Sequence, residues 1–210
     1  MDVNLIDYMG SDLSVVNAAR VSFGKYHGIF DEDKDSRLIS YLARHKHMSP
    51  FGHAFATFHV SAPIFVARQL VKHKFLRWNE ISRRYVDDEP EFYVPKEWRG
   101  RSADKKQGSE GVVGTDNLVG SANHNDICKA FYQDLIDSDI APEQARMVLP
   151  QSTMTEWYWS GSLDALADMC NLRCTSDTQL ETKIIADNID NTMRGLYPVS
   201  WKNLRGEYND

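Results

Sequence analysis

AFATFHV, residues 54–60, is a run of β-favouring side chains that alternate between two faces. One face carries Phe55, Thr57 and His59, and the other is apolar throughout. Because neither face is strongly polar, we expect an interior strand that places His59 inside the protein. Residues 153–161, TMTEWYWSG, alternate in the same way and predict a second strand.

Apolar residues at helical spacing account for most of the remaining chain. Asp12 is a candidate N-cap for the first helix, and Pro63 suits the first turn of the third. The predicted helices run from 12 to 20, 32 to 45, 63 to 73, around 127 to 135, from 142 for a short stretch, from 162 to 171 and from 180 to 196. Helices dominate and the strands show no βαβ alternation, so the sequence predicts an α+β fold.

The composition is that of one soluble globular domain, since the 210 residues are 42% hydrophobic and 26% charged. No run of about 18 apolar residues is present that could span a bilayer. The N-terminus also lacks the pattern of a signal peptide, so we expect a cytoplasmic protein without a membrane partner. The net charge of −6 disfavours a general nucleic-acid binder.

The three cysteines argue against both a disulfide framework and a structural zinc site. There are three cysteines, an odd number, and no two of them have CxxC spacing: Cys128, Cys170 and Cys174. We therefore expect reduced thiols, with Cys170 and Cys174 filling the core.

Residues 99–125, RGRSADKKQGSEGVVGTDNLVGSANHN, are rich in glycine, serine and charge and show little periodicity. They predict a flexible insertion within the single domain that covers residues 1–210. Its length suits either a lid over a site or a disordered segment, and composition does not distinguish the two.

Residues 68–85, RQLVKHKFLRWNEISRRY, gather six cations against a single acid. Gln69 and His73 are four residues apart and would share one ridge of a helix, as would Arg68 and Lys72. Bulky apolar residues interrupt the polar ones, a mixture that suits a pocket with apolar walls, hydrogen-bond donors and charge that neutralises phosphate. A solvated basic helix face is the alternative interpretation.

Several motifs resemble those of the flavin-dependent thymidylate synthases. Lys-His-Lys at 72–74, followed by seven residues and Ser82, is similar to that family's Arg-His-Arg, seven residues, Ser signature. Further similar stretches are LSVVNAARVSF, HKHMSPFGH, APIFVARQ, NEISRRY, QARMVLP and NLRCTSDTQLE. Separated motifs in the right order are more specific than any one of them, and they cover most of the chain outside 99–125.

The resemblance implies a homotetramer with shared active sites, each protomer having a central, mostly antiparallel sheet flanked by helices. It also implies dUMP as acceptor, methylenetetrahydrofolate as carbon donor, FAD as cofactor and NADPH as reductant. The nucleotide phosphate and the FAD pyrophosphate require cations, and both ligands carry flat rings that pack on apolar walls. The basic segment fits both requirements.

Carried over by position, the resemblance implies residues that bind dUMP: Gln69, Lys72, Glu80, Ser82, Arg83, Arg84, Arg146 and Arg173. Arg173 and Ser82 are the predicted catalytic residues. A guanidinium at Arg173 would stabilise negative charge on the uracil ring, which makes carbon 5 more nucleophilic. Ser82 has no Ser-His-Asp partners in sequence, so positioning is favoured over nucleophilic attack. Without the resemblance, Arg173 is interpreted as a helix C-terminal cation.

The predicted FAD contacts are Ser22, His47, Ser49, Lys72, His73, Lys74, Glu80, Ser162 and Asp168. The chain departs from the family here, because Lys72 and Lys74 replace arginines and a point charge specifies phosphate geometry less tightly than a bidentate fork. Asp164 and Asp168 would repel a flavin phosphate. We therefore expect weak FAD binding.

Other functions remain open. The histidines at 45, 47, 53 and 59 suggest a metal, yet two of them match the family's flavin pocket and core, so no metal site is expected. No cysteine lies in the basic segment, so hydride from reduced flavin is expected in place of a thiolate nucleophile. The alternatives are a nucleic-acid-binding protein that uses residues 68–84 and a relative that binds flavin and nucleotide without turnover.

Overall fold

The computed structural model describes residues 1–103, 108–114 and 116–207, without the side chains of 116–119. The strands are β1 (Asp2–Met9), β2 (Phe55–Pro63), β3 (Arg77–Glu80), β4 (Trp98–Arg101), β5 (Ser109–Gly114) and β6 (Met154–Ser162). The helices are α1 (Asp12–Arg20), α2 (Glu32–Arg44), α3 (Ile64–Leu70), α4 (Asp116–Asp137), α5 (Pro142–Ala145), α6 (Leu163–Arg173), α7 (Leu180–Leu196) and α8 (Pro198–Leu204). No helix in the described ranges is both long and apolar enough to cross a membrane.

Four strands form the central sheet in the order β1-β2-β6-β3, and all their pairings are antiparallel. The predicted α+β class with an antiparallel sheet is therefore confirmed. β2 has neighbours on both sides, as expected of an interior strand. Val60 lies opposite Trp157 and Phe58 opposite Trp159. β1 and β3, which form the two edges of this sheet, are not among the predicted elements.

One face of the sheet forms the core. Phe58, Val60, Trp157 and Trp159 are almost completely buried there, in one cluster with apolar residues of α6 and α7. Burial of this face drives the alternation of both strands, because apolar area removed from water contributes about 25 cal/mol per Å². His59 lies on the opposite, half-exposed face, so the expectation that it points inside is wrong.

Asp12 does not cap the helix that it begins. The N-cap of α1 is Ser11, whose backbone N–H bonds the Ser14 hydroxyl at 3.0 Å. The carboxylate of Asp12 instead accepts hydrogen bonds from the backbone N–H groups of Val199 (3.0 Å) and Ser200 (2.8 Å). It therefore satisfies two of the free backbone amides in the first turn of α8, although α8 lies at the opposite end of the chain.

The helix that begins the basic segment is shorter than predicted. α3 ends at Leu70, and the chain turns before β3 pairs with β6. The predicted ridges of Gln69 with His73 and of Arg68 with Lys72 are therefore both wrong, because α3 ends before Lys72 and His73. Phe75 has a φ of 66°, a left-handed value that a continuous helix does not contain.

Most of the described residues of 99–125 lie in regular structure. β4 and β5 form a separate antiparallel pair, and α4 begins at Asp116 rather than near residue 127. Residues 104–107 and 115 lie outside the described residues. The mobility expected of this segment stays a prediction.

Candidate functional site

The basic segment presents its cations on the surface. Lys72, Lys74 and Arg77 are exposed, and Phe75 has 84% of its surface accessible. None of the described residues forms a hydrogen bond or ion pair with Lys72 or Lys74. Two unneutralised ammonium groups beside an exposed flat ring can receive an anion that carries an aromatic group.

Arg173 and His73 meet although 100 residues separate them. Arg173 is the last residue of α6, and its Nε donates a hydrogen bond to Nε2 of His73 at 3.0 Å. The imidazole also lies edge-on to Trp159, with ring centroids 6.4 Å apart. The structure thus joins the predicted uracil-contacting arginine to the centre of the Lys-His-Lys motif.

Burial governs the charge state of this pair. Burial, with a smaller contribution from the Arg173 cation, lowers the pKa of His73 from 6.5 to about 4. Burial also lowers the pKa of Arg173. His73 is therefore neutral at pH 7, which leaves Nε2 free to accept the hydrogen bond from Arg173.

A pH dependence of stability follows from His73. Its pKa is about 6.5 in an unfolded chain and about 4 in the folded protein, so between these values the unfolded chain binds a proton that the folded protein does not. Stability is therefore lost as the pH falls from about 6.5 to about 4. We expect His73→Gln to reduce the difference between the unfolding free energies at pH 7 and pH 4.5. The measurement is urea unfolding at both pH values. If His73→Gln shows the same difference in unfolding free energy as the wild type, His73 is not the source of the pH dependence.

Gln69 is held by the start of α7. Its Nε2 donates to Oε1 of Gln179, and its Oε1 accepts from Oγ1 of Thr182 at 3.2 Å. Both the donor and the acceptor of this predicted dUMP-contacting amide therefore have fixed partners.

Two further predicted dUMP contacts are Glu80, the last residue of β3, and Ser82, just after it. Glu80 accepts hydrogen bonds from Trp78 (3.0 Å) and Thr155 (2.7 Å). Ser82 accepts weakly from Arg84, through the backbone N–H and Nε, both at 3.4 Å.

The other two arginines bond elsewhere. Nη1 of Arg83 donates to the carbonyl of Asp88 at 2.9 Å. Nε of Arg146 donates to the carbonyl of Glu143 at 3.2 Å, in an exposed position after α5. Among the described residues of one chain, no hydrogen bond connects the Arg146 side chain to an acceptor on another predicted dUMP contact.

The predicted flavin contacts outside the basic segment fall into two groups. Ser22, His47 and Ser49 are exposed, in or beside short turns of 3₁₀ helix. Ser162 precedes α6 and donates to Asp164 at 2.5 Å. Partial burial and the nearby Asp164 charge raise the pKa of Asp168, and Lys46 opposes this effect.

Cys128 lies on α4, whereas Cys170 lies on α6 and Cys174 follows it. Cys128, Cys170 and Cys174 are all free. Ligand atoms of Cys170, Cys174 and Asp190 lie within 4.8 Å of one another, but Cys170 is fully buried and Asp190 already bonds Arg205 and Trp201. The second carboxylate oxygen of Asp190 also accepts, from Nη2 of Arg194 at 3.4 Å, so both oxygens already have donors.

A cavity of about 600 Å³ lies between β4, β5, α4 and the start of α7. Its aromatic walls include Phe65, Tyr93 and Trp98, and its polar lining includes Arg99 and Glu181. None of the predicted site residues lines it. It adjoins the predicted site through Gln179, which accepts the hydrogen bond from Gln69.

The sequence patterns did not single out Arg99, Tyr93, Glu181 or Thr182. An acid in the first turn of a helix and an arginine in a glycine-rich segment are both ordinary on a surface. Only their contacts across the fold distinguish them.

Comparison with known proteins agrees with the motifs. Residues 4–199 match the family model described as thymidylate synthase complementing protein. A flavin-dependent thymidylate synthase from Thermosipho africanus is 40% identical over 202 residues, which cover 93% of this chain and 87% of the relative. The enzyme of the same description from Treponema denticola is 40% identical, and the match covers 94% of this chain and 76% of the relative. The enzyme from Thermus thermophilus is 38% identical, and the match covers 95% of this chain and 73% of the relative.

A solved structure has the same fold. The crystal structure of a UMP/dUMP methylase, PolB from Streptomyces cacaoi bound with 5-Br dUMP, has a TM-score of 0.86 and 35% identity. The match covers 98% of this chain and 94% of the other.

Proposed function

The chain belongs to the thymidylate synthase complementing protein family, and we propose on this basis that it is a flavin-dependent thymidylate synthase that methylates dUMP to dTMP. The observation that carries the proposal is the hydrogen bond from Arg173 to His73, because it joins two motifs that are 100 residues apart. Arg173 is oriented by the half-buried imidazole of His73, which would not be expected of a cation on a solvated basic helix face.

Arg173 is the residue that we propose activates the substrate. Its guanidinium would stabilise negative charge that develops on the uracil ring, and carbon 5 becomes more nucleophilic as a result. Neutral His73 accepts a hydrogen bond from Nε of Arg173, which orients the guanidinium. The other N–H groups of Arg173 are left to donate to the uracil ring. Gln69 and Ser82 would hold the nucleotide by hydrogen bonds, and Arg84 and Arg146 would neutralise its phosphate.

The flavin would lie along the basic segment. Exposed Lys72 and Lys74 suit its pyrophosphate, and exposed Phe75 offers a flat apolar surface, so these residues fit an anionic flavin nucleotide. Bound reduced FAD supplies the hydride that converts the transferred methylene carbon into a methyl group. Methylenetetrahydrofolate as the carbon donor and NADPH as the reductant are part of the same proposal.

We also propose a homotetramer with active sites shared among subunits. Large apolar side chains far from the core support it, since Phe23, Ile29 and Met147 each have at least 79% of their surface accessible. Among the residues that the structure describes, the side chain of Arg146, a predicted phosphate ligand, bonds only the nearby carbonyl of Glu143. A neighbouring subunit can supply it to a site that one protomer leaves open. The cytoplasmic location and the absence of a nucleic-acid partner stay predictions.

Release of tritium from dUMP labelled at carbon 5 tests the reaction, because methylation there expels that hydrogen. We expect release only when FAD, NADPH and methylenetetrahydrofolate are all present. We also expect flavin to be lost on extensive dialysis, since Lys72 and Lys74 bind phosphate as point charges and Asp168 opposes it. The measurements are scintillation counting and the flavin absorption of the dialysed protein.

Three outcomes separate the alternatives. Release without added FAD after dialysis would contradict the weak flavin binding. Binding of dUMP and flavin without any release would indicate a relative that has lost turnover. A steeply salt-dependent affinity for oligonucleotides, with no flavin spectrum, would indicate a nucleic-acid-binding protein.

A further inference from the structure

Glu181 is a buried carboxylate whose cationic partner among the described residues is Arg99. It lies in the first turn of α7 and only 3% of its surface is accessible. Nη2 of Arg99 donates to its two oxygens at 2.7 and 2.9 Å, and Tyr93 Oη donates to one of them at 3.3 Å. Burial alone would raise the pKa of Glu181, but hydrogen bonds from Arg99 and from the backbone hold it below its ordinary value.

Arg99 links three elements. It belongs to β4, its Nε donates to Ser109 Oγ of β5 at 2.7 Å, and its Nη2 reaches Glu181 of α7. The guanidinium of Arg99 therefore connects the β4–β5 pair to the first turn of α7. Loss of that guanidinium would leave the carboxylate buried without a cation, which is strongly unfavourable unless the helix turn moves toward water.

The same helix turn holds Gln69. Gln179 and Thr182 flank Glu181 in sequence, and together they bond both polar atoms of the Gln69 amide. Movement of this turn would therefore release Gln69. A released amide must be ordered again when a ligand binds, and this cost weakens the affinity.

We propose that Arg99 and Glu181 are a positioning pair that sets Gln69 for the uracil nucleotide. The proposal rests on the proposed function, since it takes dUMP as the ligand of Gln69. Neither member of the pair touches the nucleotide; they act through the first turn of α7. The pair thus gives the β4–β5 segment a part in substrate recognition.

A double-mutant cycle of Arg99→Ala with Gln69→Ala tests the pair, read as the dissociation constant of dUMP by calorimetry. We expect each single variant to weaken dUMP binding about tenfold. If Arg99 acts through Gln69, the double variant is no weaker than Gln69→Ala alone. We expect Arg99→Lys to recover part of the affinity and the KM for dUMP to rise more than kcat falls. The matched control is Arg194→Ala. Arg194 lies on α7, as Glu181 does, and its loss breaks an ion pair with Glu207 beyond α8, so dUMP binding should stay unchanged.

Additive effects in the cycle, or unchanged dUMP binding in a folded Arg99→Ala protein, would overturn the proposal. If Arg99→Ala does not fold, Arg99→Lys and Glu181→Gln take its place in the same cycle with the same criterion. Wild-type protein that releases tritium while the cycle is additive refutes the positioning pair alone. Wild-type protein that does not bind dUMP refutes the proposed function and the pair together.

Discussion

Replacement of Arg173 by alanine is expected to lower tritium release from dUMP at least about 100-fold. His73 orients the half-buried guanidinium before any ligand binds. The guanidinium therefore loses little conformational freedom when it interacts with the negative charge that develops on the uracil ring. Removal of one such preoriented donor from an enzyme site typically costs about 100-fold to 1,000-fold in kcat. The measurement is tritium release at saturating dUMP, with circular dichroism to verify the fold.

Arg44→Ala is the matched control for this variant. Arg44 ends α2 as Arg173 ends α6, and both are basic residues in the last turn of a helix. If Arg173 only complemented its helix dipole, the two alanine variants would behave alike and each would cost about 0.3–1 kcal/mol of stability. We expect Arg44→Ala to keep full turnover and Arg173→Lys to keep a small part of it. Near-normal release by Arg173→Ala would disprove the assigned role.

Replacement of Asp12 by alanine is expected to lower the free energy of unfolding by about 3 kcal/mol. The carboxylate has 8% of its surface accessible and accepts from the backbone of Val199 and Ser200. Alanine leaves two amides in the first turn of α8 without their acceptors, and an unsatisfied buried donor costs about 1–3 kcal/mol. Urea unfolding with an unchanged m-value would measure the loss.

Two further substitutions isolate the cap. Asp12→Asn retains one oxygen acceptor, so we expect it to lose only part of the stability. Asp7→Ala removes an exposed aspartate that bonds its own neighbour, Tyr8, and should change stability by less than about 0.5 kcal/mol. Equal effects at the two aspartates would mean that the cap of α8 contributes nothing.

Elements that bury one face were predictable from local pattern. β2, β6 and α7 were each expected from the alternation or the helical spacing of their apolar residues, because burial selects apolar side chains at the period of the element. β1 and β3 lacked this signal. β1 is an edge strand with seven of its eight residues exposed, and β3 is four residues long inside a basic stretch.

The candidate site was predictable only as a set of motifs. Nothing in the local pattern of NLRC indicates that Arg173 bonds His73, and nothing near LETK indicates that Glu181 meets Arg99 82 residues away. Asp12 shows the same limit, since its sequence position suggests a cap for α1 and its carboxylate serves α8.

The order of residues therefore determined the fold class, the two inner strands, the main helices and the family. The path of the folded chain alone decided that His73 is neutral beside Arg173, that Gln69 is held by α7, and that a glycine-rich segment supplies the partner of Glu181. The physical reason is one of range. Periodic burial repeats every two residues in a strand and every three or four in a helix, so a short stretch of sequence reveals it. Hydrogen bonds, ion pairs and desolvation depend on groups that only folding brings together.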